Sequence, residues 1–151
     1  MKFNICIIGK GSIGKRHHRI LEKNFDCNIF FIRRFPKFLN EIELKISLIK
    51  KFNFDFFIIC NPTILHYAVI KRLSIFKKPI LVEKPLFYPK NIINNKLILK
   101  NKKIIFTAYM MRYDKGINYL LKYVRSRKPI SADINWLTYM PNWHKNENYK
   151  N

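Results

Sequence analysis

Short apolar runs alternate along this chain with longer stretches of helical period. Phe3–Ile8 is a run of strand length, interrupted only by Asn4 and ending at a glycine, as a strand buried on both faces does. From Ile13 the period lengthens. Ile13, His17, Ile20 and Leu21 fall at i, i+4, i+7 and i+8, with Lys15, Arg16 and Arg19 between them, which predicts an amphipathic helix. A second strand is predicted over residues 28–32. Residues 40–51 read as a helix with legible ends. Asn40 can cap it and Glu43 completes a capping box; Glu41 and Glu43 suit the positive end, Lys50 and Lys51 the negative one.

The alternation continues. A third strand is predicted over 54–60, then a helix after Asn61-Pro62-Thr63 reaching about Phe76, with Lys77 and Lys78 at its end. Ile80–Val82 reads as a fourth strand, 91–99 as a helix, 104–108 as a fifth strand, and Ile117, Leu120, Leu121 and Val124 mark one more helix. Strand and helix in this order predict an α/β fold, a doubly wound parallel sheet covered on both faces. After Pro129 the pattern changes: residues 130–140 carry Ile134, Trp136 and Tyr139 with no helix following. They read as the first strand of a truncated α+β second domain. The expected division is residues 1–118 for the first domain, and 119–151 for a linking helix and that strand. There is no internal repeat and no Gly/Ser linker.

Composition narrows the function more than the fold. A chain of 151 residues is about one domain long and can bury an independent core. Only the polar tail, 146–151, is expected to be disordered. The net charge of +21 raises nucleic acid or anionic membrane as partners. The lysines are nevertheless scattered through every segment, without an aromatic-basic repeat, a zinc-ligand cluster or a continuous basic helix. Solvated charge plus an anionic ligand is the expectation, not dedicated nucleic-acid or membrane binding. Enrichment in Lys, Ile, Asn and Phe together is what a strong nucleotide bias in a genome produces. Cys6, Cys27 and Cys60 are odd in number and sit in or beside apolar runs, which suits buried thiols in a reducing compartment. With no apolar run approaching 18 residues and no signal-like start, a cytoplasmic location is expected.

Candidate chemistry begins at Gly9-Lys10-Gly11-Ser12-Ile13-Gly14, a G-x-G-x-x-G sequence between the first strand and the first helix. Each glycine answers a different need: Gly9 the tight turn, Gly11 the approach of backbone N–H groups to a pyrophosphate, and Gly14 close packing of helix on strand. Three of the chain's four glycines are here; an ordinary structural turn is the alternative. The setting predicts a Rossmann-type dinucleotide site, with Ser12 and Ile13 at the helix N-terminus facing the anion. At the end of the second strand, where NAD sites place an acidic residue, stand Arg33 and Arg34, with no acidic residue before Glu41. A guanidinium pairs with a 2′-phosphate, so NADP is favoured with NAD possible; alternatively both arginines are surface charge in a basic chain.

Two further motifs lie just past strand ends, where open parallel sheets bind ligands. They are Asn61-Pro62-Thr63-Ile64-Leu65-His66 and Glu83-Lys84-Pro85. Pro62 and Pro85 fix the direction of the chain as it leaves the sheet. Asn61, Pro62, His66, Glu83 and Lys84 are candidate cofactor-binding residues, and Lys84 is also the candidate catalytic residue, able to donate to a substrate carbonyl or hydroxyl near the nicotinamide. The plainer alternatives are a surface ion pair for Glu83 and Lys84, and a helix-start histidine for His66.

Taken together, these motifs resemble the Gfo/Idh/MocA oxidoreductases, which act largely on sugars and inositols. The resemblance runs through the residues from Gly9 to Leu21, Asn61 to His66 and Glu83 to Pro85, and through Tyr109-Met110-Met111-Arg112-Tyr113 and Tyr139-Met140-Pro141-Asn142-Trp143-His144. The last two resemble a branch associated with nucleotide-sugar or surface-polysaccharide chemistry. The resemblance implies that Lys84 is the family's active-site lysine, with Tyr109 and Arg112 on the wall of the same cleft. It also implies a longer protein, whose second domain supplies a D-x-x-x-H pair with an acid/base histidine. Here the last histidine is His144 and no aspartate follows Asp133. The expectation is therefore the cofactor-binding half of an NAD(P)-dependent dehydrogenase or reductase of sugar or nucleotide-sugar type, weakly active or inactive alone. It would be a pseudogene fragment, part of a split enzyme with a separate C-terminal half, a homo-oligomer, or a non-catalytic nucleotide-binding module.

Overall fold

The computed structural model describes residues 2–32, 49–87, 96, 100–127, 131 and 133–135. Five strands form one sheet: β1 (Phe3–Ile8), β2 (Cys27–Ile32), β3 (Phe56–Ile59), β4 (Ile80–Val82) and β5 (Ile105–Thr107). All pair in parallel, in the order β2-β1-β3-β4-β5. Helices whose bounds lie within the described residues are α1 (Ser12–Asn24), α2 (His66–Leu73) and α3 (Lys115–Arg127). Single 3₁₀ turns, Thr63–Leu65 and Ser74–Phe76, flank α2.

Strand alternation divides the sheet into two apolar faces, because successive side chains point to opposite sides. Ile5 and Ile7 of β1 join Ile58, and Leu21 of α1 packs there. Cys6 and Ile8 join Phe57, Ile59, Ile80 and Val82, and α2 adds Val69, Ile70 and Leu73. α1 and α2 thus lie on opposite faces, which makes the sheet doubly wound, of Rossmann type. Burying an aliphatic or aromatic side chain of this size contributes roughly 1.5–3 kcal/mol, and ten of these are at most 2% exposed.

Asn4, the polar break in β1, fixes the edge of this arrangement. Its N–H donates to the Asp55 carboxylate at 3.0 Å, and its carbonyl accepts from Asp55 N–H at 2.8 Å. Its side-chain oxygen accepts from Asn28 Nδ2 at 3.0 Å. One polar residue therefore ties the starts of three adjacent strands to one register.

The strands expected over 28–32, 54–60 and 104–108 run instead over Cys27–Ile32, Phe56–Ile59 and Ile105–Thr107. β3 is the shorter because Asp55 turns to Asn4 before it, and the chain leaves the ladder at Cys60 after it. Of the helix expected over 40–51, residues 49–51 are helical and the rest lie outside the described residues. The helix expected over 91–99 lies outside them save Lys96, as do most of residues 130–140.

The chain divides into two compact units, Met1–Met110 and Met111–Asn151. The first holds the sheet. In the second, Asp114 caps α3, its Oδ1 accepting from Ile117 N–H at 2.9 Å. No residue of α3 is buried. The boundary expected after residue 118 falls inside this helix. No helix among the described residues is long and apolar enough to cross a membrane.

Candidate functional site

From β1 the chain crosses to β2 on one side, then returns to β3 on the other. The reversal leaves a crevice outside the carboxyl ends of β1 and β3, the place where an open parallel sheet receives ligands. Gly9 follows one of those ends, and Cys60 and Asn61 follow the other. Two backbone hydrogen bonds draw the ends together: Cys60 N–H to the Ile8 carbonyl at 2.7 Å, and Gly9 N–H to the Ile32 carbonyl of β2 at 2.8 Å.

The three glycines of the loop are held to different standards by their surroundings. Gly9 has φ +104°, and a Cβ there would stand 2.7 Å from the Cys60 carbonyl carbon and oxygen and 2.8 Å from Asn61 N. A Cβ on Gly14 would run into the Gly9 carbonyl. Gly11 is different: its φ of −73° and ψ of −171° suit any residue, and a Cβ there meets nothing within 4 Å. Neither the conformation nor the packing of the chain itself calls for glycine at that position.

Gly11 is also the N-cap of α1, without a side-chain cap and with no acidic residue in the first turn. The first intrahelical donor is Lys15 N–H, to the Gly11 carbonyl at 3.0 Å. The N–H groups of Ser12, Ile13 and Gly14 precede it at the positive end of the helix dipole, where an anion is stabilised. Lys10 adds a cation at the rim, its Nζ 5.0 Å from the ring centroid of Phe31 at the end of β2. These groups could hold a phosphate or pyrophosphate.

The second and third motifs meet on the same side of the sheet. Asn61 follows β3, and neither Oδ1 nor Nδ2 of its solvent-shielded amide has a hydrogen-bond partner among the described residues. A shielded, unsatisfied amide costs about 1–3 kcal/mol and calls for an explanation; a bound polar ligand is one. Pro62 is exposed and opens the turn into α2. His66 is 1% exposed, with Nε2 at 2.9 Å from the Asn61 carbonyl oxygen and Nδ1 at 3.0 Å from that of Pro85. Glu83 follows β4, its N–H donating to the Ile59 carbonyl at 3.0 Å. Lys84 is exposed, and the bond between Lys84 and Pro85 is cis.

Electrostatics at this end of the sheet centre on Glu83. His17 of α1 lies 2.7 Å from its Oε1, and both side chains are 18% exposed, buried enough to escape most solvent screening. The hydrogen bond from His17 holds the Glu83 carboxyl below its ordinary 4.5; partial burial opposes this, and the charge of His17 and the N–H and charge of Lys84 assist. With its folded-state value lowered, this carboxylate stabilises the fold above pH 4.5 and ceases to do so as pH falls through that lowered value. Unfolding midpoints of wild type and Glu83→Gln should therefore lie furthest apart near neutrality and converge below pH 4.5. A gap that persists unchanged into acid would refute a role for the carboxylate charge. Burial, aided by Glu83, pushes the Cys60 thiol up to about 12, so it stays neutral beside the loop.

The structure thus brings Gly9, Gly11, Ser12, Ile13, Gly14, Asn61, Pro62, His66, Glu83 and Lys84 to the carboxyl ends of β1, β3 and β4. Arg33 and Arg34 lie outside the described residues. Sequence reasoning missed His17, taking it for a position on the apolar stripe of α1. The signal was its spacing: it stands one turn past Gly14, on the helix face that packs against the loop. Among the described residues no three His, Cys, Asp or Glu side chains converge as metal ligands would.

No protein-family model and no curated protein matches the chain. Solved structures do. Scyllo-inositol dehydrogenase from Lactobacillus casei, with bound NAD(H) and scyllo-inositol, has a TM-score of 0.67 at 18% identity, over 85% of this chain and 42% of that one. UDP-N-acetylglucosamine 3-dehydrogenase from Acidithiobacillus ferrooxidans has a TM-score of 0.60 at 16% identity, over 82% and 42%. The WlbA dehydrogenase from Thermus thermophilus, in complex with NAD and UDP-GlcNAcA, has 0.59 at 18%, over 83% and 47%. At these identities the likeness is one of fold, and the chain spans less than half the length of each protein.

Proposed function

We propose that this chain is the cofactor-binding part of an NAD(P)-dependent oxidoreductase of the Gfo/Idh/MocA kind, acting on a sugar or nucleotide-sugar from the cytoplasmic cofactor pool. Gly11 carries the reading. Its conformation is ordinary and the space over it is open, so this stretch of backbone is free for a ligand to approach closely. The uncapped start of α1 supplies the donors for a pyrophosphate there, and the unpaired amide of Asn61 supplies more at the neighbouring strand end.

A bound nicotinamide cofactor supplies a hydride donor or acceptor. The chain's own contribution is to bind and orient. Gly9, Gly11, Ser12, Ile13 and Gly14 take the pyrophosphate, with Arg33 and Arg34 at the 2′-phosphate of NADP, which is favoured over NAD. Asn61, Pro62 and Glu83 line the path toward the nicotinamide, and Lys84 offers an ammonium to the substrate oxygen. Turnover would need substrate-binding groups besides these; a nucleotide-binding module without turnover would bind the same cofactor. The fold matches to inositol and UDP-sugar dehydrogenases support the substrate class.

Fluorescence titration of the 151-residue chain with NADPH and NADH tests this reading. NADPH should bind more tightly, and Arg33→Asp should weaken NADPH at least about tenfold while sparing NADH, since a charge-assisted contact contributes roughly 1.5–3 kcal/mol. Folded protein that binds neither nucleotide would overturn it. NADH preference unaffected by the substitution would keep the fold's role and transfer it to NAD.

A further inference from the structure

We propose that His17 and His66 are positioning residues for Lys84, gripping from two helices the short segment that carries it. The proposal rests on the reading of Lys84 as the group nearest the chemistry. Lys84 has a long, flexible stem and an exposed side chain, so little but its backbone can fix where the ammonium reaches.

That backbone is held on both sides. Before Lys84, Glu83 Oε1 accepts from His17 Nε2 at 2.7 Å, and Glu83 Oε2 accepts from Lys84's own N–H at 3.3 Å. After Lys84, the Pro85 carbonyl faces His66 Nδ1 at 3.0 Å, while His66 Nε2 faces the Asn61 carbonyl at 2.9 Å. One continuous chain of polar contacts therefore runs from α1 through Glu83, Lys84 and Pro85 to α2 and the end of β3. Its two anchors come from opposite faces of the sheet, since α1 packs on the Ile5 and Ile7 side and α2 on the Cys6 and Ile8 side.

This geometry changes the expectation for His66. Both its ring nitrogens face backbone carbonyls, which only accept, and the ring is buried. Each neutral tautomer donates to one carbonyl, the imidazolium to both, and in neither case is a ring nitrogen left over for a cofactor. His66 sets the spacing between the Asn61 and Lys84 segments, and the ligand meets those segments instead.

The test reads Lys84 directly in the unliganded chain. Lysine amines are dimethylated with ¹³C-formaldehyde, and the Lys84 resonance is assigned by its absence from Lys84→Arg. His17→Leu and His66→Phe should each shift or broaden that resonance while leaving those of Lys2 and Lys122 in place. His17→Gln, which keeps an N–H donor, should restore it. A Lys84 resonance unmoved by His17→Leu overturns the proposal, and so does a Gln variant indistinguishable from Leu. His17 is only half-buried, so this pair decides the matter even where His66→Phe does not fold. NADPH titration of the same samples separates the two readings. A Lys84 response in protein that binds no nucleotide leaves the clamp standing without the cofactor function; nucleotide binding without the response does the reverse.

Discussion

Gly9→Ala should destabilise the fold by roughly 2–6 kcal/mol, whereas Gly11→Ala two residues away should leave stability within about 0.5 kcal/mol and weaken NADPH binding about tenfold or more. The two glycines look alike in the sequence. In the structure, Gly9 carries φ +104°, and the three atoms nearest an added Cβ belong to the backbone of Cys60 and Asn61. No side chain can rotate away, so the strain of the conformation and the overlap add. Against a typical total of about 5–15 kcal/mol, that is a large share of the stability of a domain. Gly11 has an ordinary conformation and open space around it, so only a visitor to the loop registers an added methyl group. Urea unfolding and NADPH titration of both variants measure the contrast. Gly9→Ala as stable as wild type would contradict the packing of the loop on β3. Gly11→Ala with undiminished affinity would remove the main support for a cofactor at this position.

Phe57→Ala should cost about 3–5 kcal/mol, read as a lower urea midpoint at unchanged slope. Phe57 is fully buried in β3, with ring centroids of Phe54 at 5.9 Å and Phe76 at 5.7 Å. Its removal would leave a cavity between the sheet and the turn that ends α2, walled by rings too constrained to collapse into it. Phe52 belongs to the same aromatic group, touching Phe30 and Phe54, yet it is 46% exposed. Phe52→Ala should cost below about 1 kcal/mol, because water already reaches that ring and no closed cavity forms. Equal losses at the two positions would show that the cluster, not the depth of burial, determines the cost.

The contrast within this cluster also marks what the sequence could disclose. The sheet was legible, because five apolar runs of strand length separated by helical periods admit few topologies. The loop was legible, because three of four glycines crowd into six positions. Strand ends were less so: β3 loses the first residues of its apolar run because Asp55 answers Asn4, a pairing across 51 positions. Histidine roles were hidden for the same reason. His17 reads as one member of an apolar stripe and His66 as a ligand contact or a helix-start residue, and neither reading discloses the partners, Glu83, Asn61 and Pro85, that other segments bring to them. The apolar period of α3 predicts a helix and finds one, but Leu120 and Leu121 are 54% and 45% exposed, so periodicity disclosed the helix without disclosing its cover.

β1 is the first strand in the chain yet is paired on both sides, to β2 and to β3. During synthesis, then, β1 must wait for both of its neighbours, the later of which ends at Ile59. At about 5–20 residues per second that interval lasts several seconds, during which the apolar run from Ile5 to Ile8 has no sheet to enter. The nascent chain is most exposed to mispairing and chaperone capture in this window, and deleting Phe3–Ile8 would remove a central strand instead of a loose end.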